Sequence, residues 1–220
     1  MVSRSAGAVE VAAPGFAARI SVSAPGLIRF RLSRGRQVPD ESSWAVVSTP
    51  DPASAVPSRW KRGKTGVTTS GGRFCLHLET GEWELGDEGG HCLFRSEPDG
   101  TGNAGAEPHL NLVLEPRESL FGLGEAAGQF DRRGMVRDFW NIDVLGHSPT
   151  IHPGLKQLYV SIPFALSCRE GRFAGLFWDN PSRQHWDLGQ SRLDRWQMTA
   201  ASGSIDLYLL LGPTPEAVLR

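Results

Sequence analysis

Apolar side chains recur at every second position in several stretches of this chain, and this pattern constrains the fold most. Ile28, Phe30 and Leu32 alternate with Arg29 and Arg31. Because successive side chains of a strand point to opposite faces, the pattern predicts half-buried β-strands. Similar alternation occurs at residues 74–78, 110–114 and 206–211.

Turn-forming residues separate these stretches. The chain has 26 Gly and 15 Pro, and no stretch shows the periodicity of an amphipathic helix of three turns. We therefore predict an all-β fold, an antiparallel β-sandwich rather than a helical bundle. Two segments rich in Pro, Ser, Thr and Gly, residues 48–59 and 97–108, are predicted to be surface loops.

The two ends of the chain differ from its middle. Residues 1–16 are expected to form a loose arm, and residues 17–212 the sandwich. Residues 213–220 carry the signal of a starting helix, with Thr214 as N-cap, Pro215 at the first helical position and Glu216 beside it. About two turns of helix are too short to be stable alone. We therefore interpret the chain as the front part of a longer protein.

The bulk composition excludes several classes of function. With 23 Lys+Arg against 24 Asp+Glu, the chain offers no electrostatic attraction for nucleic acid or an anionic membrane. No apolar run approaches the ~20 residues that span a bilayer, and the N-terminus lacks a secretion signal. Cys75, Cys92 and Cys168 have no metal-ligand spacing, which favours a reducing, cytoplasmic location. The sequence does not indicate an oligomeric state.

The segment 121–146 combines glycines, carboxylates and aromatic residues without any regular periodicity, so it is the candidate functional segment. Gly122 and Gly124 lack the third glycine in register that a phosphate-binding loop has, and no helix follows them. Asp143, His147 and His152 match no standard metal site. We therefore predict neither a cofactor nor a metal.

Four carboxylates in this segment could in principle serve glycoside hydrolysis, which needs one protonated and one ionised acid. Asp131 and Asp138 lie beside arginines, which keep a carboxylate ionised and favour structural ion pairs. The other two are Glu125 and Asp143. We assign no catalytic residue to the chain.

These residues and those that follow resemble the N-terminal region of glycoside hydrolase family 31, the α-glucosidase and α-xylosidase family. The resemblance is dense from about residue 118 onward. It rests on six motifs in order: FGLGE at 121–125, DRRG at 131–134, WNID at 140–143, LYVSIPF at 158–164, GLFWDN at 175–180 and LGPTPE at 211–216. It implies a galactose-mutarotase-like β-sandwich that precedes a (β/α)₈ barrel.

The resemblance also implies a division of labour. In the family, two barrel aspartates carry out a retaining double displacement that hydrolyses terminal α-glycosidic bonds of oligosaccharides or glycosides. The chain alone is then expected to be inactive, with the barrel as its intramolecular partner. The motif aspartate, here Asp143, is implied to bind sugar hydroxyls. The chain departs from some relatives at Ile142, where they have Arg, and at His147, where many have an aromatic residue; which sugar binds is therefore open.

Alternatives remain for individual residues. An ionised carboxylate accepts two hydroxyl donors at once, which suits sugar binding by Asp143, but Asp143 could also be a turn residue before Gly146. Trp140 could stack on a sugar face, although anchoring the loop in the core is the favoured interpretation. Glu125 and Arg133 could pair and hold the loop.

Two other functions compete with the glycosidase domain. One is a self-standing carbohydrate-binding or scaffold module. The other is a mutarotase-type aldose epimerase, which needs a His acid and a Glu base facing each other in the sandwich cleft. Fold alone does not choose among them, but the starting helix disfavours the first and the lack of a convincing His/Glu pair disfavours the second.

Overall fold

A computed structural model of the chain describes residues 1–5, 8–35, 38, 43–46, 62–104, 107–146, 148, 150–152, 154 and 157–220. The predicted loop 48–59 and His147 lie outside these residues. The described part contains sixteen strands, all in antiparallel pairs, and one short helix. The prediction of an all-β antiparallel fold is therefore confirmed.

The strands form two sheets of eight strands each. Sheet A has the order β1 (Val2–Ser5), β2 (Ala8–Ala13), β3 (Phe16–Ala24), β4 (Leu27–Ser33), β16 (Ile205–Gly212), β13 (Arg172–Trp178), β12 (Gln157–Arg169) and β10 (Ser119–Ala126). Sheet B has the order β11 (Val136–Phe139), β14 (Gln184–Leu188), β15 (Arg195–Ala200), β9 (Glu107–Val113), β8 (Cys92–Ala104), β7 (Trp83–Asp87), β6 (Gly72–His77) and β5 (Lys64–Thr69).

The core lies between the two sheets, as the alternation predicts. Phe30 of sheet A is fully buried, and its ring centroid lies 4.8 Å from that of Phe74 in sheet B. Trp83 of sheet B lies 5.6 Å from Phe74 and 5.9 Å from Phe30. Aromatic contacts across the interior thus join the sheets as a sandwich.

Residues 1–16 do not form the predicted loose arm. β1 pairs with β2, and β2 pairs with β3, so this stretch extends sheet A. Val9 and Val11 are buried while Glu10 is exposed. The alternation covers only these three residues and is surrounded by alanine, which made it too weak to recognise in the sequence.

The predicted surface loop at 97–108 is also wrong. β8 runs to Ala104 and β9 begins at Glu107, so the segment forms a hairpin. The β8–β9 register shifts between Ser96 and Thr101, and the Trp83 indole N–H donates to the Thr101 hydroxyl at 3.0 Å. Pairing with β9 and contact with the core outweigh the low strand propensity of these residues.

The helix α1 (Pro215–Leu219) begins where the capping pattern placed it. The Thr214 hydroxyl accepts a hydrogen bond from the Ala217 N–H at 3.2 Å. Val218 is buried against Gly175, where an added Cβ would come within 3.0 Å of it. Among the described residues, no helix combines the length and the apolar character that crossing a bilayer requires.

Candidate functional site

The first glycines of the candidate segment shape the backbone of β10. Gly122, Leu123 and Gly124 all have positive φ, at 109°, 73° and 73°, and the β10–β12 register shifts on both sides of Gly124. A Cβ at Gly122 would meet the Phe164 carbonyl oxygen at 2.7 Å, and one at Gly124 would meet the Val160 carbonyl oxygen at 2.6 Å. These glycines therefore allow an irregular strand to lie close to β12.

Sequence analysis missed a short strand within the segment, β11. Its buried positions are Arg137, which is fully buried, and Phe139, which is 5% exposed. Because one of the two inward-facing residues is an arginine, no apolar alternation marks the strand. Arg137 Nη2 donates to the Glu125 carbonyl at 2.9 Å, which joins β11 in sheet B to β10 in sheet A.

The loop that carries the Trp-Asn-Ile-Asp motif follows β11 directly. We call residues 140–146 the motif loop. Its Ile142 N–H donates to the Leu158 carbonyl at 3.0 Å, and the Tyr159 hydroxyl donates to the Val144 carbonyl at 2.6 Å. β12 thus holds the motif loop on either side of Asp143. Asp143 itself is exposed, and within the described residues its carboxylate has no hydrogen-bond or ion-pair partner.

Hydrogen bonds between side chains and the backbone hold the end of β10 and the residues that follow it. Glu125 and Arg133 do not pair. Glu125 Oε2 accepts from the Tyr159 N–H at 3.1 Å, and Arg133 donates instead to backbone carbonyls, those of Glu115, Glu118 and Leu193. Arg133 therefore connects the start of β10 to the β14–β15 connection.

Both arginine-flanked aspartates have structural partners, but these are not chiefly arginines. Asp131 Oδ1 accepts from the backbone N–H groups of Leu120 and Arg133, each at 3.0 Å. Although burial opposes ionisation, these hydrogen bonds and the Arg133 charge hold the pKa of Asp131 below its ordinary value. Asp138 lies 2.9 Å from His185 Nδ1 and accepts from Gln157 at 3.0 Å.

An open cleft of about 920 Å³ lies beside the start of the motif loop. It lies at the ends of β11 and β13, at the starts of β14 and β16, and beside the first half of β12. Trp140 and Asn141 line it, whereas Asp143 does not. The other lining residues are Ser43, Trp44, Ala45, Phe139, Ser161, Pro163, Phe177, Asp179, Asn180, Pro181, Ser182, Gln184 and Asp206.

Several polar groups of the cleft are already used by the fold. Asn180 donates to the Ser202 carbonyl at 2.8 Å, and Gln184 donates to the Asn180 carbonyl at 2.7 Å. Asp206 accepts from Arg29 Nε at 2.9 Å, and this hydrogen bond raises the pKa of Arg29. These residues therefore build the wall of the cleft.

Comparison with known proteins identifies the family. The sequence model of the glycosyl hydrolase 31 N-terminal galactose mutarotase-like domain matches residues 17–187, more than half of the chain. The chain belongs to this family. The galactose-mutarotase-like sandwich implied by the sequence motifs is therefore confirmed.

The similar proteins are glycosidases. Alpha-glucosidase 2 of Bacillus thermoamyloliquefaciens is 35% identical over 109 residues, which are 49% of this chain and 13% of that protein. Alpha-xylosidase XylQ of Lactiplantibacillus pentosus is 35% identical over 103 residues, 47% of this chain and 12% of that protein. The aligned part is thus a small fraction of each relative.

Solved structures show the same fold. The Flavobacterium johnsoniae GH31 dextranase, complexed with isomaltotriose, has a TM-score of 0.82 at 23% identity. The match covers 96% of this chain and 26% of the dextranase chain. A GH31 alpha-xylosidase from a soil metagenome, complexed with xylose, has a TM-score of 0.77 at 12% identity, with 98% and 33% covered.

Within this family 31 domain, Asp143 and Trp140, the two candidates for substrate binding, lie on one loop but face different surroundings. Trp140 lines the cleft and is 56% exposed, so the favoured interpretation of Trp140 as a core anchor is wrong. Phe139 instead anchors the start of the loop in the core, with its ring centroid 4.8 Å from that of the buried Trp186.

Sequence reasoning missed most of the cleft. Trp44 belongs to no motif that would mark it. Ser161 and Asp179 lie in the LYVSIPF and GLFWDN motifs, but these motifs indicated the family and not a place in a cleft. Among the described residues, no group of His, Cys, Asp and Glu could hold a metal ion.

Replacing Arg137 by methionine should destabilise this domain by about 1–3 kcal/mol, because the Glu125 carbonyl loses its charged donor. Urea unfolding measures the difference. Arg192→Met, at an exposed ion pair, is the control and should change stability by less than about 0.5 kcal/mol. Equal stability of Arg137→Met and wild type would show that Arg137 does not join the sheets.

The stabilising effect of Asp131 should depend on pH. A carboxylate with a depressed pKa stabilises the fold above the ordinary aspartate pKa of about 3.9, and the effect is lost as pH falls through the folded-state pKa. The stability difference between wild type and Asp131→Asn should therefore shrink as the solution is acidified below about pH 4. Urea unfolding at a series of pH values measures it, with the exposed Asp194→Asn as control. A pH-independent difference would contradict the assignment.

Proposed function

We propose that the chain is the N-terminal, non-catalytic domain of a retaining α-glycosidase, and that its motif loop helps to bind the carbohydrate substrate. One observation carries the proposal. The motif loop of this family 31 domain is hydrogen-bonded to β12 on both sides of Asp143, yet the Asp143 carboxylate is exposed and has no partner among the described residues.

This arrangement suits the binding of sugar hydroxyls. A carboxylate is an acceptor only, and its charge-assisted hydrogen bonds to hydroxyl donors are short and strong. The hydrogen bonds at Ile142 and Val144 fix the backbone beside Asp143. A ligand therefore does not have to order the loop when it binds, which lowers the entropic cost of binding.

Trp140 supports the same proposal from the cleft side of the loop. Its indole is 56% exposed, although an indole is among the side chains that gain most from burial. An exposed aromatic face offers a stacking surface for the C–H face of a sugar ring. The sugar itself remains open, because the similar proteins include both alpha-glucosidases and alpha-xylosidases.

The proposed catalytic residues lie outside this chain. The relatives and the solved GH31 chains are several times longer than the part that matches. We propose that a (β/α)₈ barrel supplies both catalytic aspartates, and that hydrolysis of terminal α-glycosidic bonds is the activity of the complete enzyme. A cytoplasmic location stays a prediction from composition.

The two alternative functions receive less support. Among the described residues that line the cleft there is no His and no Glu, so the acid and base of a mutarotase-type epimerase are not found there. A self-standing carbohydrate-binding module remains compatible with the sandwich. The resemblance to much longer glycosidases favours the domain of an enzyme over such a module.

The 220-residue chain alone should not hydrolyse p-nitrophenyl α-glucoside or the corresponding xyloside, because the proposed catalytic pair is not in it. Release of p-nitrophenol, followed by absorbance, measures this. A barrel-containing form of the enzyme serves as the positive control. Turnover by the purified chain would contradict the assignment as a non-catalytic domain.

In the barrel-containing enzyme, Asp143→Ala should lower kcat/KM by about ten- to a hundredfold, because charge-assisted hydrogen bonds to the substrate, worth about 1.5–3 kcal/mol each, are lost. Steady-state hydrolysis of an aryl α-glycoside measures it. Leu193→Ala, an exposed residue away from the motif loop, is the control. Unchanged kcat/KM in Asp143→Ala would show that Asp143 does not bind the substrate and would favour its interpretation as a turn residue.

A further inference from the structure

Two exposed tryptophans line the same cleft. Trp44 is fully exposed and Trp140 is 56% exposed, whereas Trp83, Trp178, Trp186 and Trp196 are fully buried. Trp44 lies next to Ser43. The Ser43 hydroxyl is hydrogen-bonded to the Tyr208 side chain of sheet A and accepts a hydrogen bond from the Val46 N–H at 2.9 Å. Removing the apolar surface of two indoles from water is favourable in free energy. A ligand that covers both indoles in the cleft would therefore gain binding free energy.

Polar groups without partners face the same space. The Ser161 hydroxyl is buried and lacks a hydrogen-bond partner in the described part of the chain. The Asp179 carboxylate and the Asn141 amide likewise have no side-chain hydrogen bond among the described residues. Asn180, Gln184 and Asp206, in contrast, are engaged by the fold. A buried hydroxyl without a partner costs free energy, which a ligand hydrogen bond would recover.

The charge and the size of the cleft narrow the ligand class. Its charged lining residues in the described part of the chain are Asp179 and Asp206, and Arg29 neutralises Asp206. Arg29 also interacts electrostatically with Asp179, but no lining side chain in the described part of the chain is cationic, so the cleft favours a neutral ligand over an anionic one. A volume of about 920 Å³ lies in the range of small-molecule sites, and the cleft is open enough for an extended ligand to lie across it.

We propose that this cleft is a binding site for a neutral oligosaccharide, with Trp44 and Trp140 stacked on sugar rings and Asp179 and Ser161 bonded to sugar hydroxyls. The choice of a saccharide rests on the proposed carbohydrate function. The cleft is lined by residues of this chain and does not include Asp143, although Trp140 and Asn141 belong to the motif loop. It would hold a sugar unit away from the scissile bond.

Isothermal titration of the 220-residue chain with isomaltotriose and with maltotriose tests the proposal, together with tryptophan fluorescence. Binding of at least one of these sugars is expected. Trp44→Ala and Asp179→Asn should each weaken it about tenfold, the effect of losing one stacked ring or one charge-assisted hydrogen bond of about 1.4 kcal/mol. Phe130→Ala, another exposed aromatic residue that does not line the cleft, should bind as wild type does. Far-UV circular dichroism verifies that each variant is folded.

The proposal would be overturned by no binding of either sugar at millimolar concentration, by binding that both cleft variants leave intact, or by tighter binding of glucuronic acid than of glucose. Asp143→Ala is measured in parallel. Loss of binding in this variant alone would place the sugar on the motif loop and contradict the cleft. The cleft is tested by sugar binding to the 220-residue chain, whereas the role of Asp143 is tested by kcat/KM of the barrel-containing enzyme. The two proposals can therefore fail separately.

Discussion

The guanidinium of Arg137 lies inside the sandwich at the edge where both sheets end. β11 is the last strand of sheet B and β10 is the last strand of sheet A, and the hydrogen bond from Arg137 to the Glu125 carbonyl joins them. Burying a charge is costly unless polar groups and aromatic rings compensate. Here the Glu125 carbonyl and the Phe139 ring, 5.7 Å from the guanidinium carbon, offset part of this cost, and burial still lowers the pKa of Arg137. The motif loop starts at the residue after Phe139, so its position depends on this contact.

The same edge explains why an irregular backbone and a fixed loop occur together. Gly122 and Gly124 have no Cβ, so β10 can adopt positive φ at these residues and lie close to β12. Leu123 between them is fully buried. At the start of β12, the Leu158 carbonyl and the Tyr159 hydroxyl hold the motif loop. The glycines that resembled a phosphate-binding loop are therefore structural: they position the strand to which the loop is attached.

Periodicity predicted the sandwich well, because most strands bury an uninterrupted row of apolar residues such as Ile28, Phe30 and Leu32. It failed where another interaction outweighed the local pattern. β11 turns an arginine inward, and residues 97–108 gain their strand hydrogen bonds from β9. At Phe139 and Trp140 the sequence offers two adjacent aromatic residues, of which only one can face the core. Which one does so depends on the register with β14, and a single sequence does not contain that information.

The motif loop and the cleft cannot be independent if both bind sugar. Trp140 and Asp143 are three residues apart in one extended loop, a span of at most about 11 Å. A ring stacked on Trp140 restrains the start of the loop and thus the orientation in which Asp143 is presented. By linkage, any gain in affinity that one contact gives the other is reciprocal. Since Phe139 and the hydrogen bonds at Ile142 and Val144 already fix the loop, little loop entropy is left to lose. Coupling between the two contacts must therefore act through small shifts of a rigid loop rather than through its ordering.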